Sequence, residues 1–465
     1  MTDYTSLTPE LIAELKRAVQ PADVLVGSEI GEDYSHDELA SVRVHPEALV
    51  FATSAEQVSA VMRFANAHHV PVTPRGQGTG LVGGAVPVHG GILLDLSRMN
   101  RILGLDENNL HLTVDPGVLL MDIYAYTDKL GLYYPPNPGE KSASIGGNVA
   151  TNAGGMSAVK YGVTRDYVRA IEVVLPDGKI VHMGGGIVKN SSGYSMKDLM
   201  IGSEGTLGVI TKITLKLLPA PAFAKSMLVP FPSLESAVGA VPALLNSHAL
   251  PRSLEFMEQE VIQAAEDYLG RKFPDKSAPA YLMLTFDGNS RDEVQRQFDE
   301  AAEICLSHSA LDALIADSDE RQEVIWTPRG AFLEAIKAST TEMDECDVVV
   351  PRDKIAEFIR FTMRVQDEEQ IRIKNFGHAG DGNVHVYVLR DELGEAEWEA
   401  KLTKVFDRLY SHAHELGGKV SGEHGIGYAK RDFLAESEDD GVMALMRGIK
   451  QVFDPNNILN PGKVV

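Results

Sequence analysis

Between Ile371 and Leu389 the chain sets two histidines where a metal ion could be held. IRIKNFGH and NVHVYVL both read as strands, and Asp381-Gly382 between them is a strong signal for a two-residue hairpin turn. A turn centred there pairs Gly380 with Asn383 and sets His378 directly opposite His385. Opposed residues carry their Cβ atoms about 4.5–5.5 Å apart, close enough for two imidazoles to share one ion. Two polar residues on a wetted hairpin face would be spelled the same way. The register and the small residues at the turn, which leave access from above, favour the metal.

Two histidines leave a divalent ion under-coordinated, so a carboxylate is needed. Ser421-Gly422-Glu423-His424-Gly425-Ile426-Gly427 offers Glu423 and His424 together in a glycine-flanked turn. Glu423 would complete a two-histidine, one-carboxylate set with positions open for substrate. His424, with an intrinsic pKa near neutrality, could then act as a general base. By itself the same turn could equally be a surface turn with a capping glutamate.

Three glycine-rich segments lie upstream: Pro74-Arg75-Gly76-Gln77-Gly78-Thr79-Gly80-Leu81-Val82-Gly83-Gly84, then Gly146-Gly147-Asn148-Val149-Ala150-Thr151-Asn152-Ala153-Gly154-Gly155, then Gly202-Ser203-Glu204-Gly205-Thr206-Leu207-Gly208. Each alone could be a set of tight turns. Three in one region, interleaved with Asn, Thr and Ser, suggest backbone folded closely around an extended cofactor. The first follows a helix that opens at Ser54 with capping-box spacing to Gln57 and runs to about His69, then a short strand, Val70–Thr73. GGILLDLSRM after the loop reads as another strand, so the loop joins strand to strand. A phosphate there would be held by exposed loop amides and by Arg75 rather than by a helix N-terminus.

The elements that must position these residues divide the chain. Thr8-Pro9 starts a helix in an N-terminal arm, residues 1–40. A strand- and glycine-rich region, 41–220, is closed by Pro219-Ala220-Pro221. In 221–420, FAKSMLVPF, APAYLMLTF and CDVVVP read as strands, while SRDEVQRQFDEAAEICLSH and RDKIAEFIRFTMRV read as helices. This predicts an α+β domain with a mainly antiparallel sheet. A final segment, 421–465, is helical with a tail marked by proline and glycine.

The formal net charge of −23 argues against nucleic acid and against an anionic membrane surface as direct partners. Cys305 and Cys346 are the only cysteines, so neither a disulfide framework nor a cysteine-ligated iron–sulfur cluster is encoded. No apolar run is long enough for a transmembrane segment. The first residues read as an amphipathic helix rather than a signal peptide, which predicts a cytoplasmic protein, with any membrane association made through a partner.

From about residue 40 to Lys463 the chain resembles the flavoproteins of the vanillyl-alcohol-oxidase type. Within them it is similar to the group of FAD-linked D-2-hydroxy acid dehydrogenases, which includes the glycolate oxidase D-subunit, D-lactate dehydrogenase and D-2-hydroxyglutarate dehydrogenase. PRGQGTGLVGGAVP resembles the group's pyrophosphate loop, GGNVATNAGG its flavin-contacting segment and IGSEGTLGVIT its adenine-side segment. GHAGDGNVH, SGEHGIG and the terminal NPGK match further hallmarks.

The resemblance implies a two-part FAD-binding domain plus an α+β cap domain, and oxidation of a small 2-hydroxy acid with hydride passing to FAD. It implies cofactor contacts at Pro74, Arg75, Gly76, Gln77, Gly78, Thr79, Gly80, Gly83 and Gly84, at Pro138, Gly139 and Ser142, at Gly146, Gly147, Asn148, Thr151, Asn152, Gly154 and Gly155, at Tyr161 and Gly162, at Glu204, Gly205, Gly208 and Ile210, and at Asn460. His378, His385 and Glu423 would bind one divalent metal (Zn, Mn or Fe), His424 would take the hydroxyl proton, and Arg329 would pair with the substrate carboxylate. Read from the residues alone, Arg329 fits a helix-surface ion pair as well.

The pyrophosphate loop lacks histidine, which implies dissociable, non-covalent FAD. Relatives acting on hydroxyglutarate place polar residues where this chain has Leu333 and Tyr387, which tilts the expected substrate from D-2-hydroxyglutarate toward D-lactate or glycolate. No cysteine-rich extension follows Val465, so a separate acceptor is expected: an electron-transfer flavoprotein, an iron–sulfur subunit or a quinone-linked chain. Two other readings compete. A catalytically silent flavin subunit of a larger complex would lack the His and Glu constellation that this chain keeps. A flavin-free metallohydrolase would leave three glycine segments without a role.

Overall fold

The computed structural model describes residues 4–39, 41–316 and 318–465, which fall into two compact units. The first takes in the described residues through Ala153, with Val163–Ala220 and His424–Val465. The second takes in Gly154–Gly162 and Pro221–Glu423.

The first unit opens with the helix Pro9–Ala18, whose proline lies in the first turn and whose Leu11 amide donates to Thr8 Oγ1. Strands β1 (Val24–Val26), β2 (Ala48–Phe51), β3 (Val72–Arg75) and β4 (Ile92–Asp95) form a sheet in the order β1-β2-β4-β3. Both β2 and β3 run parallel to β4. The helix Ala55–His68 buries Val58, Val61, Met62 and Ala65 with Val50, Val72, Ile92 and Leu94 in one core. Ser54 caps it through the Gln57 amide, but the Gln57 carboxamide accepts from the Thr53 amide rather than from Ser54. The glycine loop leads from β3 to β4 with no helix between them, as the sequence predicts.

Seven more strands follow: β5 (Ile102–Asp106), β6 (His111–Val114), β7 (Leu132–Tyr133), β8 (Val168–Val174), β9 (Ile180–Gly184), β10 (Val209–Lys216) and β11 (Leu218–Pro219). An antiparallel sheet takes the order β5-β6-β10-β8-β9, and β7 pairs with β11. The C-terminal tail returns to the first sheet, where Leu459 bridges Val72 and the Asn460 amide donates to Val72 O at 2.7 Å.

The second unit is built on one antiparallel sheet of β12 (Phe223–Phe231), β13 (Ser253–Glu258), β14 (Ala280–Gly288), β15 (Leu314–Ala316), β16 (Met343–Val349), β17 (Arg372–His378) and β18 (Asn383–Leu389). Its order is β15-β12-β14-β13-β17-β18-β16. The pleat sends successive side chains to opposite faces, so Val384, Val386 and Val388 leave on one side and Asn383, His385 and Tyr387 on the other. Helices Ile355–Glu369 and Glu395–Glu415 pack on the sheet with the cysteine and valine face. On the opposite face Met257, Tyr281, Met283, Phe376 and Tyr387 share a core with the helices Gln259–Leu269 and Phe332–Ala338.

Cross-strand pairing sets the polar residues of that face in rows. Glu255, His378 and Asn383 form one row, Phe376, His385 and Asp347 the next, and Lys374, Tyr387 and Glu345 the third. This corrects the expected hairpin. Four residues, 379–382, connect β17 to β18, so His378 pairs with Asn383 and His385 with Phe376. The Gly380 amide donates to Leu254 O in β13 instead of pairing with Asn383, and the Asp381 and Gly382 amides both donate to His378 O. The register differs from expectation by two residues, and a period of two keeps both histidines on the same face. They are diagonal neighbours rather than opposed ones.

Gly382 holds φ at 93°, and a Cβ there would meet Val350 O at 2.1 Å. Gly382→Ala is therefore expected to cost at least about 1–3 kcal/mol and to lower the thermal midpoint by several degrees. An unchanged midpoint would show that the turn relaxes freely.

Candidate active site

In the first unit the three glycine segments converge because side chains are missing where they meet. A Cβ on Gly76 would lie 2.1 Å from Ser144 Oγ, and one on Gly205 would lie 2.7 Å from the Pro74 ring. The second segment is a helix, Ile145–Thr151, capped by Ser144 and ended by Asn152 at φ 54°. Val149 O and Ala150 O accept from the amides of Gly202 and Glu204 at 3.0 and 2.8 Å, fastening the third segment to it. Among the described residues, no backbone amide from Gly76 to Gly84 donates a hydrogen bond within the protein. A row of unused donors on a side-chain-poor loop suits the pyrophosphate of a dinucleotide.

The C-terminal segment is stitched to the same loop. Val82 O accepts from the amides of Tyr428 and Ala429, and Asn460 Nδ2 donates to Gly84 O and Glu204 O. Lys463 Nζ donates to Val86 O at 2.6 Å. The structure also redirects several residues expected at the cofactor. Arg75 Nη1 and Nη2 donate to His36 O and Asp33 O, so these nitrogens are engaged with the N-terminal arm rather than presented to a phosphate. The Glu204 carboxylate accepts from the amides of Ile426 and Gly427, both at 2.7 Å. Burial pushes this carboxyl up, against those two amides and the charges of Lys430 and Lys463.

Ser142 binds the Glu140 carboxylate through its amide and hydroxyl, Gly139 sits at φ 89°, and Gly208 and Ile210 lie beside and within β10. Gly154, Gly155, Tyr161 and Gly162 fall in the second unit, where Tyr161 Oη and Lys160 Nζ both donate to the buried Asp287 carboxylate.

The second unit gathers His378, His385 and Glu423. Their facing atoms form a nearly regular triangle: His378 Nε2 to Glu423 Oε1 is 3.4 Å, His385 Nε2 to Glu423 Oε1 is 3.2 Å, and the two Nε2 atoms are 3.5 Å apart. A tetrahedral ion with bonds of about 2.0–2.1 Å separates its ligand atoms by about 3.3–3.4 Å. The triangle therefore has the spacing that one such ion requires.

Each imidazole is oriented from behind. His378 Nδ1 lies 2.7 and 2.9 Å from the Glu255 oxygens, and His385 Nδ1 lies 3.0 Å from Glu345 Oε1. A carboxylate on Nδ1 holds the ring with its Nε2 lone pair toward the triangle. Asp347 fixes the third corner, since its Oδ2 accepts from Ser421 Oγ and from the amides of Gly422 and Glu423.

Arg329 is 8% exposed, and its Nε and Nη2 donate to Glu255 Oε2 at 3.0 and 2.5 Å. The guanidinium also lies over Phe376, 4.8 Å from the ring centre, so it is a buried ion pair rather than a helix-surface one. His424 follows Glu423 in the chain and is half-buried. Tyr387 stacks on Phe376, and Leu333 packs against the same apolar core. Sequence reading missed Glu255, Glu345 and Asp347. Their signal was carboxylates inside the apolar strands SLEFME and MDECDVV.

The chain matches the description "FAD binding domain" over residues 46–184 and "FAD linked oxidases, C-terminal domain" over residues 220–464. It is 50% identical to a D-lactate dehydrogenase of Anaerostipes hadrus across 99% of this chain and 98% of that protein. It is 37% identical to a glycolate oxidase subunit GlcD of Bacillus subtilis across 93% and 91% of the two chains. A solved p-cresol methylhydroxylase superposes with a TM-score of 0.79 at 20% identity, over 98% of this chain and 96% of that one, and so shares its fold.

The electrostatics of the triangle call for positive charge. Glu255, Glu345, Asp347, Asp381 and Glu423 crowd around two imidazoles and Arg329, and burial pushes the Asp381 carboxyl up to about 6. Burial opposes a charge on His385, but Glu345 and Glu423 outweigh it and push the imidazole up to about 9. His378 is raised in the same direction by Glu255 and Glu423 against its burial. In protein stripped of divalent ions, a histidine raised on folding stabilises fully below its ordinary value of 6.5, and that contribution is lost as pH climbs through about 9. Differential scanning fluorimetry of metal-stripped protein should show the midpoint falling across that interval; a flat profile would mean that His385 stays neutral in the fold.

Proposed function

Because the chain belongs to the FAD-linked oxidases and is an FAD-dependent hydroxy acid dehydrogenase, we propose that it oxidises D-lactate or glycolate to the 2-oxo acid with a divalent metal and a histidine base. The observation that carries the metal is the triangle of His378, His385 and Glu423, backed on both histidines by carboxylates. Zinc, manganese and iron all suit this ligand set.

The glycine loop would hold FAD non-covalently, and FAD so held would supply the acceptor for the hydride from C2. The metal would supply Lewis acidity toward the substrate's hydroxyl and carboxylate oxygens. His424 takes the hydroxyl proton, which raises the electron density that expels hydride from C2. Arg329 meets the substrate carboxylate with the edge of its guanidinium not engaged by Glu255, and Glu255 holds that edge in place. Leu333 packs in the apolar core and Tyr387 stacks on Phe376 where polar residues would be needed to meet a distal carboxylate, which favours a small monocarboxylate.

Electrons then pass to a separate acceptor: an electron-transfer flavoprotein, an iron–sulfur subunit or a quinone-linked chain. Among the described residues no helix is long and apolar enough to cross a membrane. We place the enzyme in the cytoplasm, with any membrane association made through that acceptor.

Anaerobic mixing with D-lactate, L-lactate, glycolate and D-2-hydroxyglutarate should bleach the flavin with D-lactate or glycolate, and prior chelation should abolish the bleaching. A flavin reduced by none of these acids would remove the substrate class, and bleaching that survives metal removal would remove the metal. His424→Ala should keep its flavin while turnover falls roughly 10²–10⁴-fold. Turnover unchanged in that variant would take the base away from His424.

A further inference from the structure

Asn383 stands in the same cross-strand row as Glu255 and His378, directly opposite His378 and two residues before His385 on one strand face. Its side chain is 4% exposed, yet neither Oδ1 nor Nδ2 has a hydrogen-bond partner among the described residues. Buried amides are almost always bonded on at least one side, because leaving them dry is unfavourable. The carboxamide is held in place by shape. It lies against Gly422, where an added Cβ would fall 2.1 Å from Asn383 Oδ1 and 2.9 Å from Nδ2. Gly422 precedes the metal-triangle residue Glu423, so the amide is wedged between the histidine strands and the turn that brings the carboxylate.

We propose that Asn383 is a substrate-binding residue whose carboxamide hydrogen-bonds the oxygens of the 2-hydroxy acid beside the metal triangle. An amide offers both a donor and an acceptor, and a 2-hydroxy acid offers a carboxylate that accepts and a hydroxyl that donates. The donor side also suits the hydroxyl oxygen as it loses its proton, since hydrogen bonds to charged oxygens are the stronger ones. The assignment rests on the 2-hydroxy acid reading above and adds a contact that the His, Glu and Arg set does not supply. A second role as a structural amide would require partners within the fold, and its two side-chain atoms have none among the described residues.

The test uses Asn383→Leu, matched in branching and unable to hydrogen-bond, with Asn383→Asp as the variant that keeps an acceptor and loses the donor. Metal content, thermal midpoint, KM and kcat for D-lactate, and calorimetric affinity for oxalate, a chelating anion with no C–H bond from which hydride could leave, are compared with the parent holoenzyme. Both variants should keep their metal and flavin, and Asn383→Leu should unfold no lower than the parent. Oxalate affinity should fall roughly ten- to 100-fold, as expected for one hydrogen bond to a charged group. Unchanged oxalate affinity and KM in both variants would overturn the proposal, as would loss of metal from Asn383→Leu, which would assign the residue to metal retention. A parent protein that carries no metal or binds neither oxalate nor D-lactate would instead overturn the reading on which this one rests.

Discussion

Glu255 is the carboxylate on which the second unit's site is organised. Fully buried on β13, it receives Nε and Nη2 of Arg329 and faces Nδ1 of His378. Burial pushes its carboxyl up, but the charges of His378 and Arg329 outweigh this and leave it below the ordinary carboxylate range. One anion thus fixes the plane of a guanidinium from the helix Asp319–Gly330 and the tautomer of an imidazole from β17. Taking away one partner of such a buried pair leaves the other charge uncompensated, typically at about 3–5 kcal/mol. Glu345 and Asp347 repeat the arrangement on the neighbouring strand for His385 and for the turn that carries Glu423.

The sheet makes this possible by separating two demands. β18 reads Asn-Val-His-Val-Tyr-Val, and the valines take one face while the polar residues take the other. That alternation was legible in the sequence, and it is why the two histidines could be assigned to a common face from spelling alone. Their exact pairing was not legible. Asp381-Gly382 looks like a complete hairpin turn, and only the contact of Gly380 with Leu254, more than a hundred residues away in sequence, shows that the loop is two residues longer. The three supporting carboxylates escaped for the same reason. Glu255 sits in β13 and Glu345 and Asp347 in β16, so their meaning depends on a sheet order that places β13 beside β17 and β16 beside β18.

The first unit teaches a different lesson about motifs. Its glycine segments were read as room for a cofactor, yet several of the glycines are needed for contacts between segments. A Cβ on Gly205 would lie 2.7 Å from the Pro74 ring, and one on Gly76 would lie 2.1 Å from Oγ of Ser144, which caps the second segment. Arg75 and Glu204 likewise serve the protein's own backbone, the first through carbonyls of residues 33 and 36 and the second through amides of residues 426 and 427. Local sequence shows that an arginine follows a strand. It does not show that the arm forty residues earlier presents carbonyls to it.

The partition of the chain has a consequence for how the protein is made. The unit holding the glycine loop is begun by the first residues and finished only by His424–Val465, after the whole of Pro221–Glu423 has been synthesised. At about 5–20 residues per second, that insertion delays completion by roughly ten to forty seconds. Throughout this interval the edge of β3 waits for Leu459 and Asn460, and the loop carbonyls of Val82, Gly84 and Val86 wait for Tyr428, Asn460 and Lys463. A chain still being synthesised therefore carries an unclosed glycine-loop unit, with the edge of β3 open to premature pairing, until residues 424–465 have emerged.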